Sequence, residues 1–294
     1  MSDQINGTLK LLFPQWQGGD NPPYHFGAQL LNWLSPAHSG AFEEVPVQQP
    51  TAEALPIVDQ IVAKTELVRQ AHAAREIIHR HQPDRLIVLG GDCLVDLAPF
   101  AYLSEKYGSE LGILWVDTHP DITLPGEWRN AHAMVLANLL GLGDPDFTSL
   151  VSAPLKPSQI MFAGLHDTLP HETSRISKLG IRAASPADLR DSSAPVLDWI
   201  QQAKPKYLAI HLDLDVLDPA GFRSLLFANP DAAPDAFEGV AQGHMAMQAV
   251  TRLLSEVAEH VEVVGIGIAE HLPWDALALK NMLAQLPLIG NQQV

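Results

Sequence analysis

Residues 111–121 read Leu111-Gly112-Ile113-Leu114-Trp115-Val116-Asp117-Thr118-His119-Pro120-Asp121. The first six are mostly apolar and have turn signals on both sides, which predicts a short strand buried on both faces. Beyond it, Asp117, His119 and Asp121 fall at alternate positions. If the chain stays extended there, the three side chains converge on one side. Carboxylates left unpaired at the mouth of a buried strand cost several kcal/mol unless a cation or hydrogen bonds meet them. A divalent metal answers that cost. The competing reading is local: Asp117 as a cap, His119 as a loop residue and Asp121 as a solvated one.

A second stretch of the same kind weighs towards the metal. Tyr207-Leu208-Ala209-Ile210-His211-Leu212 is another candidate buried strand, ending in Asp213-Leu214-Asp215 with Asp218-Pro219 beyond. Again two carboxylates share one face at a strand's C-terminal end. Asp117, Asp121, Asp213 and Asp215 with His119 suit one hard or borderline divalent cation, or two that share bridging carboxylates.

The 294 residues have room for a large core, and an apolar share of 47% with 18% charged residues is that of an ordinary globular protein. A formal charge of −16 makes nucleic acid and anionic membranes poor partners and weakly favours a small cationic substrate. The one cysteine, Cys93, excludes an intrachain disulfide. The first residues carry no basic stretch followed by an apolar one, and no apolar run approaches the ~20 residues that span a bilayer. A cytoplasmic protein is the expectation.

Along the chain, Thr8 to Phe13 is predicted as a strand, Pro14 to Pro23 as a loop, Tyr24 to Leu34 as a helix whose aromatics belong to the core, and Val45 to Val47 as a short strand. Apolar residues recurring every three or four positions predict a long amphipathic helix from Ile57 to about His81, with His72, His79 and His81 solvated. Arg85 to Leu89 is a buried strand leading into Gly90-Gly91-Asp92-Cys93, where two glycines allow a sharp turn or a close backbone approach. A helix beginning near Leu94 would place Asp92 and Cys93 at a strand-to-helix switch, where open α/β sheets hold ligands. Asn130-Ala131-His132-Ala133-Met134 opens a helix to about Leu140; His132 there is placed either to carry a proton or to act as a surface or capping residue.

Further on, Gln159 to Gly164 and Gly180 to Ala183 are predicted strands. His166 and Asp167 follow the first of them, and Asp167 is a candidate substrate contact. Val196 to Ala203 is a predicted helix. The segment between Pro219 and Glu238 is long for a structureless connection, and leaving the site end of a strand it reads as a lid or specificity loop. Helices from Phe237 to about His260 and from Trp274 to about Leu286 flank a strand from Val261 to Ile268 that leads into Ala269-Glu270-His271. Strands alternate with helices, and the notable polar residues follow strand ends. The expected fold is one three-layer α/β/α domain over 1–294 with a doubly wound, mainly parallel sheet.

At these residues the chain resembles the ureohydrolase superfamily, the arginases, agmatinases and formiminoglutamases, over roughly residues 85–275. Asp117-Thr118-His119-Pro120-Asp121 is similar to the family's D-A-H-x-D, and the stretch from Asp213 to Pro219 to its D-x-D-x-x-D-P. Gly90-Gly91-Asp92-Cys93 resembles G-G-D-H, Asn130 to Met134 resembles N-x-H-G-M, and Glu270 matches a late glutamate after the last strand. The resemblance implies a two-manganese centre in which Asp117 and Asp213 bridge, His119 and Asp215 complete one metal, and Asp121 and Cys93 the other. It further implies a metal-activated hydroxide attacking a guanidinium or formimino carbon, His132 as proton shuttle, and Glu270 holding the cationic substrate nitrogen, with Asn130 nearby. Relatives of this fold form trimers or hexamers, so a homo-oligomer is expected by analogy.

Several positions depart from that pattern. Cys93 stands where the family has a histidine ligand, and a softer thiolate shifts preference from manganese towards zinc, iron or nickel, or leaves a single metal. The loop from Thr123 to Arg129 lacks the residues with which arginases are thought to grip the amino-acid carboxylate, so free arginine is a poor substrate choice. His211 occupies a place usually small or hydroxylic and is a further candidate imidazole. Two other functions compete with the hydrolase: a non-catalytic or single-metal relative with a binding role, and an enzyme using Cys93 as nucleophile with His119 or His132 as base.

Overall fold

The computed structural model describes residues 7–286 and 288–290. Ten strands occur among them: β1 (Thr8–Phe13), β2 (Ala41–Glu44), β3 (Ile57–Val58), β4 (Ile61–Val62), β5 (Arg85–Gly90), β6 (Leu111–Val116), β7 (Ile160–Ala163), β8 (Arg182–Ala184), β9 (Tyr207–Asp213) and β10 (Glu262–Ala269). Eight form one sheet in the order β2-β1-β5-β10-β9-β6-β7-β8, and every recorded pairing in it is parallel. The helices are α1 (Pro23–Leu34), α2 (Lys64–His81), α3 (Leu97–Tyr107), α4 (Val135–Leu139), α5 (Pro145–Thr148), α6 (Pro170–Leu179), α7 (Ala194–Ala203), α8 (Met247–Ala258) and α9 (Trp274–Gln285). None is long and apolar enough to cross a membrane.

The all-apolar strands explain the layering. In β6 every residue is buried. Successive side chains leave opposite faces of a strand, so Ile113 and Trp115 join the core under α2 and α3, while Leu114 and Val116 join the one under α7 and α8. β7 divides in the same way, with Ile160 and Phe162 on one face and Met161 and Ala163 on the other. Two apolar layers around one parallel sheet are what a doubly wound α/β fold requires.

Register then brings the polar strand ends together. His211 lies opposite Trp115 on one side and Gly267 on the other, and Asp213 lies opposite Ala269. After β5 the chain crosses to β6 and leaves a gap that β9 and β10 fill. That reversal is the kind of switch point at which open sheets bind ligands.

Some expected elements differ. The helix expected from Ile57 starts at Lys64, because Ile57–Val58 and Ile61–Val62 form an antiparallel hairpin whose turn residues Asp59 and Gln60 have φ of 49° and 68°. Two left-handed residues in succession suit a tight hairpin turn and cannot continue a helix. Apolar spacing alone fitted both outcomes. The helix expected from Phe237 begins only at Met247, since Gly239 has φ 76° and Met245 bridges to Leu217. The strand expected at 45–47 lies at Ala41–Glu44, and the helix expected at Leu94 starts with a 3-10 turn over Cys93–Asp96. α6, opened by Pro170 in its first turn, carried no strong apolar period and was not expected.

Candidate metal centre

Strands β6 and β9 end in the same local device. Asp117 Oδ1 accepts the backbone N–H of His119 at 2.7 Å, and Asp213 Oδ1 accepts that of Asp215 at 2.7 Å. Such Asx turns stop a strand and turn the other carboxylate oxygen away from its own backbone, Asp117 Oδ2 towards Trp115 Nε1 and Asp213 Oδ2 towards Cys93 Sγ. The preceding buried strands hold both aspartates almost wholly out of water, at 1% and 2% exposure.

Three groups of donor atoms result. Asp117, His119 and Asp215 form one; Cys93, Asp213 and Glu270 a second; Cys93, Asp117, Asp121 and His211 a third. Within each group the donor atoms lie within 4.8 Å of one another. Cys93 Sγ is 3.0 Å from Asp213 Oδ2, and His119 Nδ1 is 3.2 Å from Asp215 Oδ2. The structure thus brings Cys93, Asp117, His119, Asp121, Asp213 and Asp215 together. Asp121 Oδ2 and Asp215 Oδ1 are buried and, among the described residues, have no hydrogen-bond partner.

Electrostatics say what is missing from such a cluster. Burial, followed by repulsion from Asp215, pushes Asp117 up to about 7. Burial first, and then neighbouring carboxylates, hold Asp121 and Asp213 well above the ordinary carboxylate range. Burial works against a charge on His119, yet Asp215 and Asp117 outweigh it and push its pKa well up. Carboxylates retain protons in this way when no cation compensates them. The oxygen-rich donor set with unsatisfied buried oxygens therefore fits divalent cations.

His119 is set up for the same purpose. Its Nε2–H reaches the Ala241 carbonyl at 3.1 Å, which leaves Nδ1 facing Asp117 and Asp215. Outer hydrogen bonds of this type fix the tautomer of a metal-ligating histidine. Cys93 is a different case: burial and then Asp213 push its thiol well above its ordinary value, so a neighbouring cation is needed for it to act as a thiolate.

Glu270 follows β10 with φ 65°, and Asp121 follows β6 with φ 46°. Left-handed backbone at a non-glycine residue costs about 1–3 kcal/mol and gathers at functional sites. Here it aims both carboxylates into the cluster, helped at Glu270 by its N–H bond to the Gly91 carbonyl at 2.7 Å. Tyr24 donates its hydroxyl to Glu270 Oε2 at 2.5 Å, and His132 Nδ1 lies 2.9 Å from Oε1. Burial alone would raise the pKa of Glu270; the bonds from His132 and Tyr24 overcome it and hold the carboxyl below its usual range. His132 is raised in turn, burial opposing the charge and Glu270 prevailing. Asp92, the other residue expected at the switch, accepts the N–H groups of Gly18, Gly19 and Leu94, and so fastens the N-terminal loop beside His132.

Over the cluster opens a cavity of about 490 Å³. Cys93, His119, Asp121, His132, Asp213, Asp215 and Glu270 line its floor, while Trp128, Leu169, Phe227, Phe237 and Val240 line its walls. Much of that wall comes from the long segment after Pro219, placing it where the sequence suggested a specificity loop. Asp167 lies at the rim, its side chain 82% exposed and paired with His166. Asn130, expected near the substrate, is half-buried ahead of the 3-10 turn and is not among the cavity-lining residues. Tyr24, expected as plain core, is fully buried but also orients Glu270. Asp96 carried no motif signal, yet it is fully buried against His211, Nδ1 to Oδ2 2.7 Å.

Comparison with known proteins gives a consistent picture. The sequence profile of the arginase family matches residues 30–224. An arginase of Staphylococcus aureus is 28% identical over 140 residues, covering 45% of this chain and 46% of its own length. An arginase of Bacillus caldovelox is 28% identical over 190 residues, 60% of each chain. The matched region thus spans about half the length of the first of these curated relatives. Among solved structures, Entamoeba histolytica arginase in complex with L-ornithine superposes with TM-score 0.76 over 93% of both chains at 21% identity. Formimidoylglutamase of Bacillus subtilis gives 0.62 over 91% of this chain and 79% of its own at 13% identity. At such identities the structural likeness establishes the fold.

Proposed function

Because the chain belongs to the arginase family, we propose that it is a divalent-metal-dependent hydrolase cleaving a C–N bond in a guanidino or formimino compound. The observation that carries the proposal is the buried, under-neutralised carboxylate cluster at the ends of β6 and β9, directly beneath a cavity that contains Glu270. Asp117, His119 and Asp215 would hold one cation and Cys93, Asp121 and Asp213 the other, with Asp117 and Asp213 shared. When bound, the cations would lower the pKa of a water enough to give a nucleophile near neutral pH. Manganese is the family's usual metal; the Cys93 thiol opens the set to zinc, iron or nickel.

The chain's own groups supply the rest. Glu270 presents a fixed, charged carboxylate suited to the N–H groups of a planar cation. His132, hydrogen-bonded to that carboxylate at the cavity floor, is placed to receive a proton and to return it to a departing nitrogen. The walls then select the far end of the substrate. No lysine or arginine lines the cavity among the described residues, whereas Trp128, Leu169, Phe227, Phe237 and Val240 do. An α-carboxylate would meet no lysine or arginine there, only the imidazoles of His166 and His171 among groups able to carry a positive charge in the outer part of the cavity. The substrate class is accordingly a guanidino or formimino compound with an uncharged or apolar far end, and not free arginine.

The test is metal content per chain, as purified and after incubation with manganese, followed by urea or ammonia release across a panel of guanidines. Expected are two metals, turnover on a non-amino-acid guanidine, and loss of turnover in folded Asp117→Asn and Asp213→Asn. Absence of turnover across the panel in metal-loaded protein would favour a binding role; full activity in either variant would reject the proposal outright.

A further inference from the structure

We infer that His211 supplies the imidazole that position 93 lacks, as a ligand to the cation held by Cys93, Asp121 and Asp117. The inference rests on the metal-dependent reading above and adds to it a residue from a neighbouring strand. His211 is fully buried on β9, two residues before Asp213. Its ring stacks on Trp115 of β6, with centroids 3.8 Å apart and planes 15° from parallel. That contact fixes the ring plane, and Trp115 Nε1–H also donates to Asp117 Oδ2 at 3.1 Å.

The other side of the ring fixes its tautomer. Asp96 Oδ2 lies 2.7 Å from His211 Nδ1, and Asp96 is itself wholly buried. Room for that carboxylate exists because residue 267, opposite His211 in the sheet, is glycine: a Cβ there would come within 2.0 Å of both Asp96 oxygens. With Nδ1–H committed to Asp96, Nε2 carries the lone pair. Nε2 is buried, has no hydrogen-bond partner among the described residues, and stands 3.9 Å from Asp117 Oδ2, beyond hydrogen-bond reach. His211 belongs with Cys93, Asp117 and Asp121 to a group whose donor atoms lie within 4.8 Å of one another. A buried lone pair aimed at a thiol and two carboxylates is relieved by an electron-pair acceptor, and a carboxylate behind the imidazole is the usual outer partner of a ligating histidine. The arrangement restores one nitrogen donor to a site that lost one, by a route across the sheet instead of along the chain.

The experiment compares zinc binding, by calorimetry and chelator competition, in full-length wild type, His211→Gln, Asp96→Asn and the double variant Cys93→His/His211→Gln. Wild type is expected to take up two zinc ions. His211→Gln should weaken one of them roughly 100-fold and spare the other, Asp96→Asn should weaken the same one by about 10–100-fold, and Cys93→His should recover it in the double variant. A second readout needs no variant: with ¹⁵N-labelled histidine, zinc should move His211 Nε2 into the metal-bound range while Nδ1 stays protonated. Two-zinc wild type with an unmoved His211 Nε2, or His211→Gln binding both ions with wild-type affinity, would overturn this inference and leave the hydrolase proposal standing. Wild type that binds no zinc or manganese would overturn both.

Discussion

Stability should fall as pH rises in metal-free protein, the reverse of what an ordinary carboxylate-rich chain does in acid. Burial and Asp215 hold Asp117 at about 7 in the folded chain against an ordinary 3.8, so the folded state keeps a proton that the unfolded state releases. A group raised on folding contributes stability that is fully present below its unfolded pKa and is lost as pH climbs through the folded one. For Asp117 the whole effect is on the order of 4 kcal/mol, of which about 2 kcal/mol falls between pH 5.5 and pH 8. Asp121, Asp213, His119 and His132 are raised as well and act in the same sense. Glu270, His25 and His271 are lowered and act in the opposite sense: the contribution of Glu270 is lost only as pH falls below its ordinary 4.5, while the two buried histidines lose theirs as pH falls below 6.5 and offset part of the change in this window. Since a domain is stable by only about 5–15 kcal/mol, the loss is easily resolved. The assay is urea unfolding followed by circular dichroism at the two pH values, with chelator and with excess manganese. Manganese binds the deprotonated cluster, so it should reverse the slope and, at about 100 times its Kd, add about 2.7 kcal/mol at pH 8. Chelated protein that is equally or more stable at pH 8, with no response to manganese, would refute the cation-deficient reading of the cluster.

Other perturbations test separate parts of the structure. Lys64 is almost fully buried and contacts Asp59, Asp144 and Asp146 at 2.7–2.9 Å; Lys64→Met leaves Asp144 buried without its cation and should cost about 3–5 kcal/mol, read as a lower urea midpoint, part of which Asp144→Asn should recover. At Gly91 a Cβ would meet the Gln15 carbonyl oxygen at 1.6 Å, so Gly91→Ala must move the turn that carries Cys93 and should destabilise by about 1–3 kcal/mol or more while weakening metal uptake in titrations. Glu270→Gln keeps the shape but removes the charge facing the proposed substrate cation; kcat/KM should fall by at least about tenfold with metal content unchanged, and loss of metal instead would make Glu270 a ligand. Tyr24→Phe removes one bond to the same carboxylate and should cost about 0.5–1.5 kcal/mol in stability, measured by the same unfolding curves.

Much of the site was legible because its chemistry is local. An apolar run long enough for one strand, followed by Asp as the first acidic residue, specifies a strand, its end and an Asx turn within a few residues; Leu111 to Asp121 and Tyr207 to Asp215 both do this. Periodicity was a weaker guide where two patterns coincide. Ile57 and Ile61 fit a helical face and a hairpin equally, and the left-handed residues Asp59 and Gln60 decided the matter through turn chemistry. The helix α6 was hidden because its face is only weakly apolar, most of its residues being half-exposed or exposed.

By itself, then, the sequence determined a parallel α/β sheet with two carboxylate-bearing strand ends and a glutamate after the last strand, since each follows from the order of apolar and polar residues along a short stretch. Tertiary structure alone decided what those ends face. Sheet order set β9 between β6 and β10, which stacked His211 on Trp115 and opened space at Gly267 for Asp96. The same packing brought Tyr24 against Glu270, 246 residues away in the chain. Contacts between elements distant in sequence depend on strand order, register and the volume left by a missing side chain, and none of these leaves a mark in the local pattern of residues.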